Sequence, residues 1–592
     1  MREQRRRGWQ SLRLLHKGIR KRGRKMKVCR YALVMILLCL FVCPLVALSE
    51  AGSPPEMLDD VTIQLRDPNF EAAVRKVIGK PEGAIVASDV AMITELDVSN
   101  LDITSLRGIE YFTHLETLIC NRNKLIRLDV SENKALRVLN CSANQLETLD
   151  VSENVLLEEL DCGYNFELKE LDVSRNTALV TLDCSSNKLK TLDVGHITGL
   201  VILECSANKL KTLDVRQNTA LIELYCSVNG LGTLDVSRNT ALVTLDCSNN
   251  NLRKLDVSPN TALSRLVCSS NPLKKLDVSK NMALRALICG NNQLETLDVS
   301  ENIALESLSF YNNKLKTLDI SHNTALISLG CTENRMKTLD VSKNTALQVL
   351  DCDSNQLAEL DVSNNTLLKH LDCQENRLTT LDVSNNVALE YLNCCDNELT
   401  TLDISANVAL SKLDCSCNRL TNVDVSNNTE LKEMSCYTNH LITLDVSHNA
   451  KLEILDCEYN ELESLHLQGA IALHFLYCAG NSLVALDVSG AVALMGIRCE
   501  ENQLEALDVS HNVELITLTC SDNFLRELNV SSAVNLASLY CDNNQLEALD
   551  ITQNPKLREL SCTKNFFPDQ SAIIGLDEGG LMKFAFKPQR KQ

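Results

Sequence analysis

The sequence predicts a β-rich solenoid, wound into about 22 stacked coils with a parallel sheet along its concave face. First, a unit of about 21 residues, represented by residues 242–262 (LVTLDCSNNNLRKLDVSPNTA), recurs from residue 115 to residue 565, and such a period is typical of solenoids. Second, each unit holds two segments in which apolar residues alternate with a polar one, as in a short strand. Third, aromatic residues make up only 4% of the chain, so the core must consist of Leu, Val, Ala and Cys.

Residues 1–51 have the pattern of a secretory signal. Thirteen Lys or Arg and one acidic residue occupy positions 1–30, and the apolar run YALVMILLCLFVCPLVAL follows from Tyr31 to Leu48. Because small residues come next, we expect cleavage after Ala51, with a linker over residues 52–60. An uncleaved membrane anchor is the alternative, since eighteen apolar residues could span a bilayer. Either reading predicts a protein that is secreted or anchored with its body outside the cell.

Residues 61–114 are predicted to form an N-terminal cap and the first irregular repeats. Asp67 followed by Pro68 suits a helix start, and Gly79 suits its end. Phe70, Val74, Val77 and Ile78 follow helical spacing and form one apolar face. We expect this face to cover the open end of the first coil, because terminal repeats need a polar outer cover.

Residues 115–565 form the repeat array, which can be checked column by column. A cysteine column runs from Cys120 to Cys562 with Phe310 as its only replacement, and one inserted residue near residue 166 shifts it by one. A first asparagine column, from Asn123 to Asn565, has no exception in 22 coils. A second, from Asn133 to Asn554, is broken four times, at Ile197, Ala470, Ala491 and Ala533.

Both halves of the unit are predicted to form short strands, which would give two parallel sheets on opposite sides of the coils. The pattern alone leaves open whether the second half, which reads L-D-V, is a strand or an irregular turn on the convex side. After residue 565 the period stops. Residues 566–592 are predicted to form a C-terminal cap with a short helix and a last strand near residues 584–587.

Residues 61–587 resemble bacterial internalin-like leucine-rich repeat proteins. The resemblance rests on DPNFEAAVRKVIGK from Asp67, on IVASDVAMITEL and LDITSLRGIEYFTHLETL after it, and on the nesting of ten and eleven residues in each 21-residue unit. It implies a curved, right-handed leucine-rich repeat superhelix. It also implies extracellular binding of proteins or glycans through the concave face.

The cysteine column and the aspartates of the L-D-V segments both contain residue types that bind metal ions, but a simpler structural role accounts for each. The column cysteines should point inward one above another, whereas a metal site needs ligands that converge on one point, so we interpret them as buried core. Cys395 and Cys417 lie outside the column on neighbouring coils, and they could form a disulfide or remain two surface thiols. The stacked aspartates of the L-D-V segments could bind calcium, but neighbouring Ser and backbone donors are the simpler compensation.

No catalytic constellation or phosphate-binding loop stands apart from the repeat columns, so we predict no enzyme activity and no cofactor. The body of the chain is acidic, which argues against nucleic acid as a partner. Contact with a membrane is expected only if the signal segment is retained.

Recognition is expected at the variable positions of the strands, because the repeated letters are used by the core. An acidic stripe is predicted from eight residues between the strand Leu and the column Cys: Asp161, Asp183, Glu204, Asp246, Asp351, Asp372, Asp414 and Asp456. The partner-binding candidates are the aromatic and basic residues of the C-terminal third: His370, Tyr391, Lys412, Tyr437, Tyr459, Phe475 and Tyr477. We therefore expect a secreted or envelope recognition protein for a protein ligand, with glycan binding or a purely structural surface role as alternatives.

Overall fold

The computed structural model describes residues 61–590, which form a coiled array with a cap at each end. The predicted signal or anchor of residues 1–51 and the linker of residues 52–60 lie outside the described residues. Within residues 61–590, no helix is long and apolar enough to cross a membrane.

The array is built from strands of two or three residues. In chain order they are β1 (Glu95–Asp97), β2 (Thr117–Ile119), β3 (Val138–Asn140), β4 (Glu159–Asp161), β5 (Thr181–Asp183), β6 (Ile202–Glu204), β7 (Glu223–Tyr225), β8 (Thr244–Asp246), β9 (Arg265–Val267), β10 (Ala286–Ile288), β11 (Ser307–Ser309), β12 (Ser328–Gly330), β13 (Val349–Asp351), β14 (His370–Asp372), β15 (Tyr391–Asn393), β16 (Lys412–Asp414), β17 (Glu433–Ser435), β18 (Thr443–Asp445), β19 (Ile454–Asp456), β20 (Ser464–His466), β21 (Phe475–Tyr477), β22 (Gly496–Arg498), β23 (Thr517–Thr519), β24 (Ser538–Tyr540), β25 (Leu549–Asp550), β26 (Glu559–Ser561), β27 (Ile573–Ile574) and β28 (Lys583–Ala585). Strand β18 pairs with β20, β25 pairs with β27, and the other 24 form one parallel sheet, which we call the main sheet.

The main sheet stacks identical positions of the repeat on one another. Leu203, Leu224 and Leu245 are central residues of three neighbouring strands, and each lies opposite the next in the register. All three are buried, while the residues before and after them face outward, as alternation along a strand requires. The sheet has two strands more than the 22 predicted coils, because β1 lies before the cysteine column and β28 belongs to the C-terminal end.

One continuous apolar core runs through the array, and the cysteine column is part of it. Each of the 21 column cysteines is buried and carries a free thiol. Burial raises the pKa of these thiols, for example to about 12 at Cys120 and Cys289, so they stay protonated at neutral pH. They act as small apolar side chains that fit between closely stacked coils.

The first asparagine column satisfies both ends of its side-chain amide. Asn397 Nδ2 donates to the carbonyls of Cys373 at 3.0 Å and of Cys394 at 3.1 Å. Its Oδ1 accepts the N–H of Leu378 at 2.9 Å. Because that buried N–H has no other recorded acceptor, each asparagine of this column supplies a bond that the backbone needs.

In the second asparagine column, the side-chain Nδ2 is hydrogen bonded but the Oδ1 is not. Asn386 Nδ2 donates to the carbonyls of Val362 at 3.0 Å and Asn365 at 2.9 Å, and both carbonyls also accept a backbone N–H. Its buried Oδ1 has no partner, and this holds for every asparagine of the column. Replacing an asparagine of this column by an apolar residue therefore costs less hydrogen-bond energy than in the first column. This explains why Ile197, Ala470, Ala491 and Ala533 are tolerated.

The predicted second sheet forms only in fragments, so the expectation of strands in both halves of the unit is wrong for most coils. All 19 aspartates of the L-D-V segments accept the N–H of the residue two positions later, as Asp256 does from Ser258 at 2.9 Å. Asp445, Asp508 and Asp550 keep this bond in coils that do pair, so the bond by itself does not exclude a strand. The sequence had left the irregular turn open, and that alternative is the one found.

Pairing on this side occurs where an aspartate does not face another aspartate. Asp445 lies opposite His466, Asp508 forms a bridge with Asn529, and Asp550 lies opposite Ile574. Among residues 61–590, no two successive aspartates of this column belong to paired strands or a bridge. Like charges one strand spacing apart repel, so the aspartates favour the unpaired turn.

Helix α1 (Pro68–Ile78) covers the N-terminal end of the array, as predicted. Asp67 caps it by accepting the N–H groups of Asn69 and Phe70, and Gly79 ends it with φ of 66°. The other carboxylate oxygen of Asp67 accepts both the N–H and the hydroxyl of Thr104 at 2.7 Å, which holds the helix against the first coils. Phe70 is buried and its ring lies 6.5 Å from that of Phe112.

The apolar face of helix α1 is narrower than predicted, because Val77 is half exposed and only Phe70 and Val74 are buried. A second helix, α2 (Ala87–Val90), follows it.

The C-terminal cap continues the main sheet. A 3-10 helix (Gln570–Ala572) is followed by β27, and β28 then pairs with β26, so the last strand spans 583–585 instead of the predicted 584–587. Phe567 is buried, with its ring 6.1 Å from that of Phe586. The end of the core is thus closed by aromatic side chains, as it is at the N-terminus.

Candidate functional site

The outward side of the main sheet is the surface that varies from coil to coil. It consists of the first and third residues of every strand, since the central residue is buried. Registered pairing places first residues beside first residues and third beside third, so two columns of side chains run along the sheet. We call this surface the outer face.

The predicted acidic stripe lies in the third-residue column of the outer face. All eight of its members are third residues of strands, and Asp161 lies directly opposite Asp183, as Asp351 does opposite Asp372. Burial, followed by the nearby charge of Asp183, raises the pKa of Asp161 to about 7. Burial and then Asp353 and Asp351 also raise the pKa of Asp372. The stripe therefore carries less charge at neutral pH than its composition implies.

The seven partner-binding candidates occupy one continuous stretch of the main sheet, which we call the aromatic tract. His370, Tyr391, Lys412 and Phe475 are first residues of their strands, and Tyr477 is a third residue. Tyr437 and Tyr459 instead follow the column cysteine by one and two positions, and they lie in the bends beside the sheet. The stretch from β14 to β21 covers six neighbouring strands, or about 24 Å at the usual strand spacing.

The N-terminal part of the aromatic tract is a connected polar network. The rings of His370 and Tyr391 are stacked with centroids 4.2 Å apart and planes 6° apart. His370 Nε2 lies 3.0 Å from Asp351 Oδ1. Asn393 hydrogen bonds to Tyr391 and donates to Asp372 Oδ2 at 3.3 Å. These contacts hold both rings in fixed orientations on the sheet.

Lys412 is paired in the free protein. Its Nζ lies 2.5 Å from Glu433 Oε2, the first residue of the next strand. Both side chains are about half exposed, so the pair contributes little to stability and can be exchanged for a partner's charge.

The C-terminal part of the aromatic tract is a cluster of exposed rings with glycines beside them. Tyr459 is 53% exposed and Phe475 is 36% exposed. A Cβ on Gly480 would lie 2.5 Å from the Tyr459 ring, and one on Gly496 would lie 3.0 Å from the Phe475 ring. The rings therefore lie against the backbone of the following coil, which limits their motion.

Next to these rings lies a charged cluster whose residues were not among the candidates predicted from the sequence. Arg498, which lies opposite Tyr477 in the register, approaches Glu458 at 3.4 Å and Glu500 at 2.5 Å. Burial raises the pKa of Glu458 to about 7, although Arg498 acts in the opposite direction. Glu458 and Glu500 directly follow column cysteines, a position usually held by small residues such as Ser248. A large charged residue in that column was the signal available in the sequence.

Tyr437 belongs to a third group, with the two cysteines outside the column. Cys395 and Cys417 are free, partly exposed thiols, and their side chains hydrogen bond to each other. Tyr437 also hydrogen bonds to Cys417. The structure therefore brings together the two cysteines for which a disulfide and two surface thiols were both left open, and it shows them as thiols.

The exposed aspartates of the L-D-V segments have their charge compensated by local donors. Hydrogen bonds from Ser258 lower the pKa of Asp256, and those from Arg216 lower the pKa of Asp214 to about 2. Within the described range, no three His, Cys, Asp or Glu side chains are placed to hold one metal ion.

Comparison with known proteins places the chain in the leucine-rich repeat fold. No protein-family model matches the sequence, and no curated protein matches it. The functional domain of InlJ from Listeria monocytogenes, described as including a cysteine ladder, is 26% identical over 84% of this chain and 79% of its own, with a TM-score of 0.43.

Two further structures superimpose better. YopM from Yersinia enterocolitica is 23% identical over 80% of this chain and 93% of its own, with a TM-score of 0.55. The leucine-rich repeat ectodomain of the Arabidopsis receptor kinase HAESA, in complex with an IDA peptide hormone, is 19% identical over 82% and 90%, with a TM-score of 0.60. At this identity the likeness concerns the fold, a leucine-rich repeat superhelix.

Proposed function

We propose that this leucine-rich repeat chain is a secreted or cell-envelope recognition protein that binds a protein or peptide ligand through the aromatic tract and catalyses no reaction. The observation that carries the proposal is the concentration of half-buried and exposed, oriented rings along a stretch of six neighbouring strands, on the strands or in the bends beside them. Aromatic side chains held in place lose little entropy on binding, and they are enriched at the energetic centres of interfaces.

The surroundings of the rings favour a ligand with basic groups. Asp351, Asp372 and Asp456 line the third-residue column beside the rings, and Glu458 and Glu500 flank Arg498. A basic ligand would be drawn to these carboxylates and would lower the raised pKa values of Asp372, Asp456 and Glu458. HAESA is recorded with a peptide ligand, and a peptide or protein is the ligand class proposed for this chain.

The proposal is tested by affinity capture with the full chain against surface extracts. The test variant replaces Tyr437, Phe475 and Tyr477 together by Ala. The matched control replaces Tyr164 and Phe166 by Ala, because these rings are exposed by 53% and 62% but lie outside the aromatic tract. We expect the test variant to lose a specific partner that the control retains, with at least a hundredfold weaker binding of the purified partner, since such rings contribute about 1 to 2 kcal/mol each.

A salt titration of the captured complex separates the ligand classes. Binding that weakens steeply between 50 and 500 mM salt indicates a charged protein ligand, because exposed charges are screened over this range. Binding that is insensitive to salt and competed by free sugars indicates a glycan. If the triple variant captures the same partners with unchanged affinity, the aromatic tract is not a binding site and a structural surface role is favoured.

A further inference from the structure

Cys395 and Cys417 differ from every other described cysteine in their position on the coil. Cys395 directly follows the column residue Cys394, and Cys417 follows Cys415 by two positions. Both are partly exposed, whereas the 21 column cysteines are buried. Within residues 61–590, these are the two thiols that a dissolved reagent can reach.

The backbone holds these two thiols beside each other. Residues two positions after the column cysteine adopt positive φ, and Cys417 has φ of 53°. The N–H of Asp396 donates to the carbonyl of Ser416 at 3.0 Å, and that of Asn397 donates to the carbonyl of Cys417 at 3.3 Å. The bends of the two coils are therefore hydrogen bonded beside Cys395 and at Cys417, and the two thiols are already in contact without any rearrangement of the array.

The surroundings stabilise Cys417 as a thiolate. The thiol of Cys395 and the hydroxyl of Tyr437 donate hydrogen bonds to its sulfur, and these lower the pKa of Cys417 to about 7 against burial and the charges of Asp396 and Asp414. The same hydrogen bond raises the pKa of Cys395. One thiol is thus the nucleophile at neutral pH, and the other stays protonated beside it.

We propose that Cys395, Cys417 and Tyr437 form a thiol–disulfide exchange site that accepts small-molecule disulfides. The Cys417 thiolate attacks one sulfur of a disulfide RSSR, forms a mixed disulfide and releases RS⁻. Cys395 then loses its proton to solvent and attacks the Cys417 sulfur, which forms the Cys395–Cys417 disulfide and releases the second RS⁻. The protein dithiol is oxidised by two electrons, and the small disulfide is reduced to two thiols. This inference does not depend on the proposed ligand binding.

In the first measurement, the full chain reacts with oxidised glutathione, and the oxidation state of Cys395 and Cys417 is determined. After reaction, free thiols are alkylated, and peptides containing residues 395 and 417 are quantified by mass spectrometry. We expect the wild-type protein to form the Cys395–Cys417 disulfide without accumulating the mixed disulfide. The variant Cys395→Ala should stop at glutathione on Cys417, and the variant Cys417→Ala should react at Cys395 at least tenfold more slowly at pH 7.

The second measurement follows the rate of Cys417 alkylation by iodoacetamide from pH 5 to 10. The wild-type rate should rise to half its maximum near pH 7. Tyr437→Phe removes a donor and should move this midpoint upward. At pH 7 the thiolate population then falls up to about fiftyfold, and the greater nucleophilicity of the more basic thiolate offsets about tenfold of this, so the rate should fall by up to about fivefold.

The column thiols report the fold of every variant, since they stay unmodified while the array is intact. The proposal is overturned if, in Cys417→Ala, Cys395 reacts with oxidised glutathione as fast as Cys417 does in Cys395→Ala. It is also overturned if the wild-type protein retains the mixed disulfide, or if the alkylation midpoint lies near pH 9 in wild type and Tyr437→Phe alike. A column cysteine that reacts as fast as Cys417 in the folded protein would contradict the assignment as well.

Discussion

Substitution of one asparagine from each column tests whether hydrogen-bond satisfaction decides their tolerance. In Asn397→Ala, the buried N–H of Leu378 loses its acceptor and two column-cysteine carbonyls each lose one of two donors. An orphaned buried group costs about 1 to 3 kcal/mol, and a shared bond costs less. We expect the local free energy of opening to fall by about 2 to 4 kcal/mol.

Asn386→Ala is the matched control, with the same change in volume in a neighbouring part of the coil. It orphans no backbone group, because both carbonyls keep a backbone N–H, and it removes an Oδ1 that has no partner. We expect a loss of about 1 kcal/mol or less. The structure-based difference between the two variants is thus at least about 1 kcal/mol and up to about 4 kcal/mol.

Native-state hydrogen exchange measured by mass spectrometry is the suitable assay, because long repeat arrays do not unfold in two states. Peptides covering residues 373–418 should exchange about 30 to 1000 times faster in Asn397→Ala, at tenfold per 1.4 kcal/mol, and less than about tenfold faster in Asn386→Ala. Equal acceleration in both variants, or a larger effect at Asn386, would show that hydrogen-bond satisfaction does not explain the unbroken column.

Three further predictions concern charge and the exposed rings. Because burial raises the pKa of Asp161 in the folded state, its contribution to stability is fully present below the unfolded pKa of about 3.9 and is lost as the pH rises through about 7; Asp161→Asn should remove this dependence, and at pH 8 it should raise the free energy of opening at the Cys141 amide by on the order of 2 kcal/mol, measured as slower hydrogen exchange. Asp424→Asn should permit pairing with the coil of Asp445, as at Asp508 and Asn529, and slow exchange of the Val425 amide several-fold; unchanged exchange there would refute charge repulsion as the cause. Gly480→Ala should displace the Tyr459 ring and lower the local free energy of opening by about 1 kcal/mol, measured by hydrogen exchange around residue 480, whereas Gly199→Ala, with no atom within 4 Å, should leave exchange around residue 199 unchanged.

Much of the fold was predictable because the same 21-residue pattern, and with it the same local structure, recurs in every coil. The spacing of Leu, Cys and Asn determined the coil, its buried columns and the position of the strands, and a capping Asp67 and Gly79 determined helix α1. Both asparagine columns bond the backbone. Their different tolerance was visible in the sequence, but its cause required the partners of each Oδ1.

The outer face was predicted in composition but not in organisation. The sequence placed His370, Tyr391, Phe475 and Tyr477 near each other because registered coils stack equal positions. It missed the cluster around Arg498, for which the available signal was Glu458 and Glu500 in the column after the cysteine, where small residues are usual. It also placed Tyr437 and Tyr459 with the strand residues, whereas the chain turns out of the sheet after each column cysteine.

The sequence by itself determined the solenoid, because a residue repeated every 21 positions must meet its own copies when the coils stack, whatever their curvature. The tertiary structure decided what the copies do to one another. It showed that successive aspartates of the L-D-V segments do not pair into a second sheet, that burial and a neighbouring carboxylate raise the pKa of Asp161 on the outer face, and that Cys395 and Cys417 lie in contact in the bends of neighbouring coils. These outcomes depend on distances between neighbouring coils and on burial, and neither can be read from the aligned repeat sequences alone.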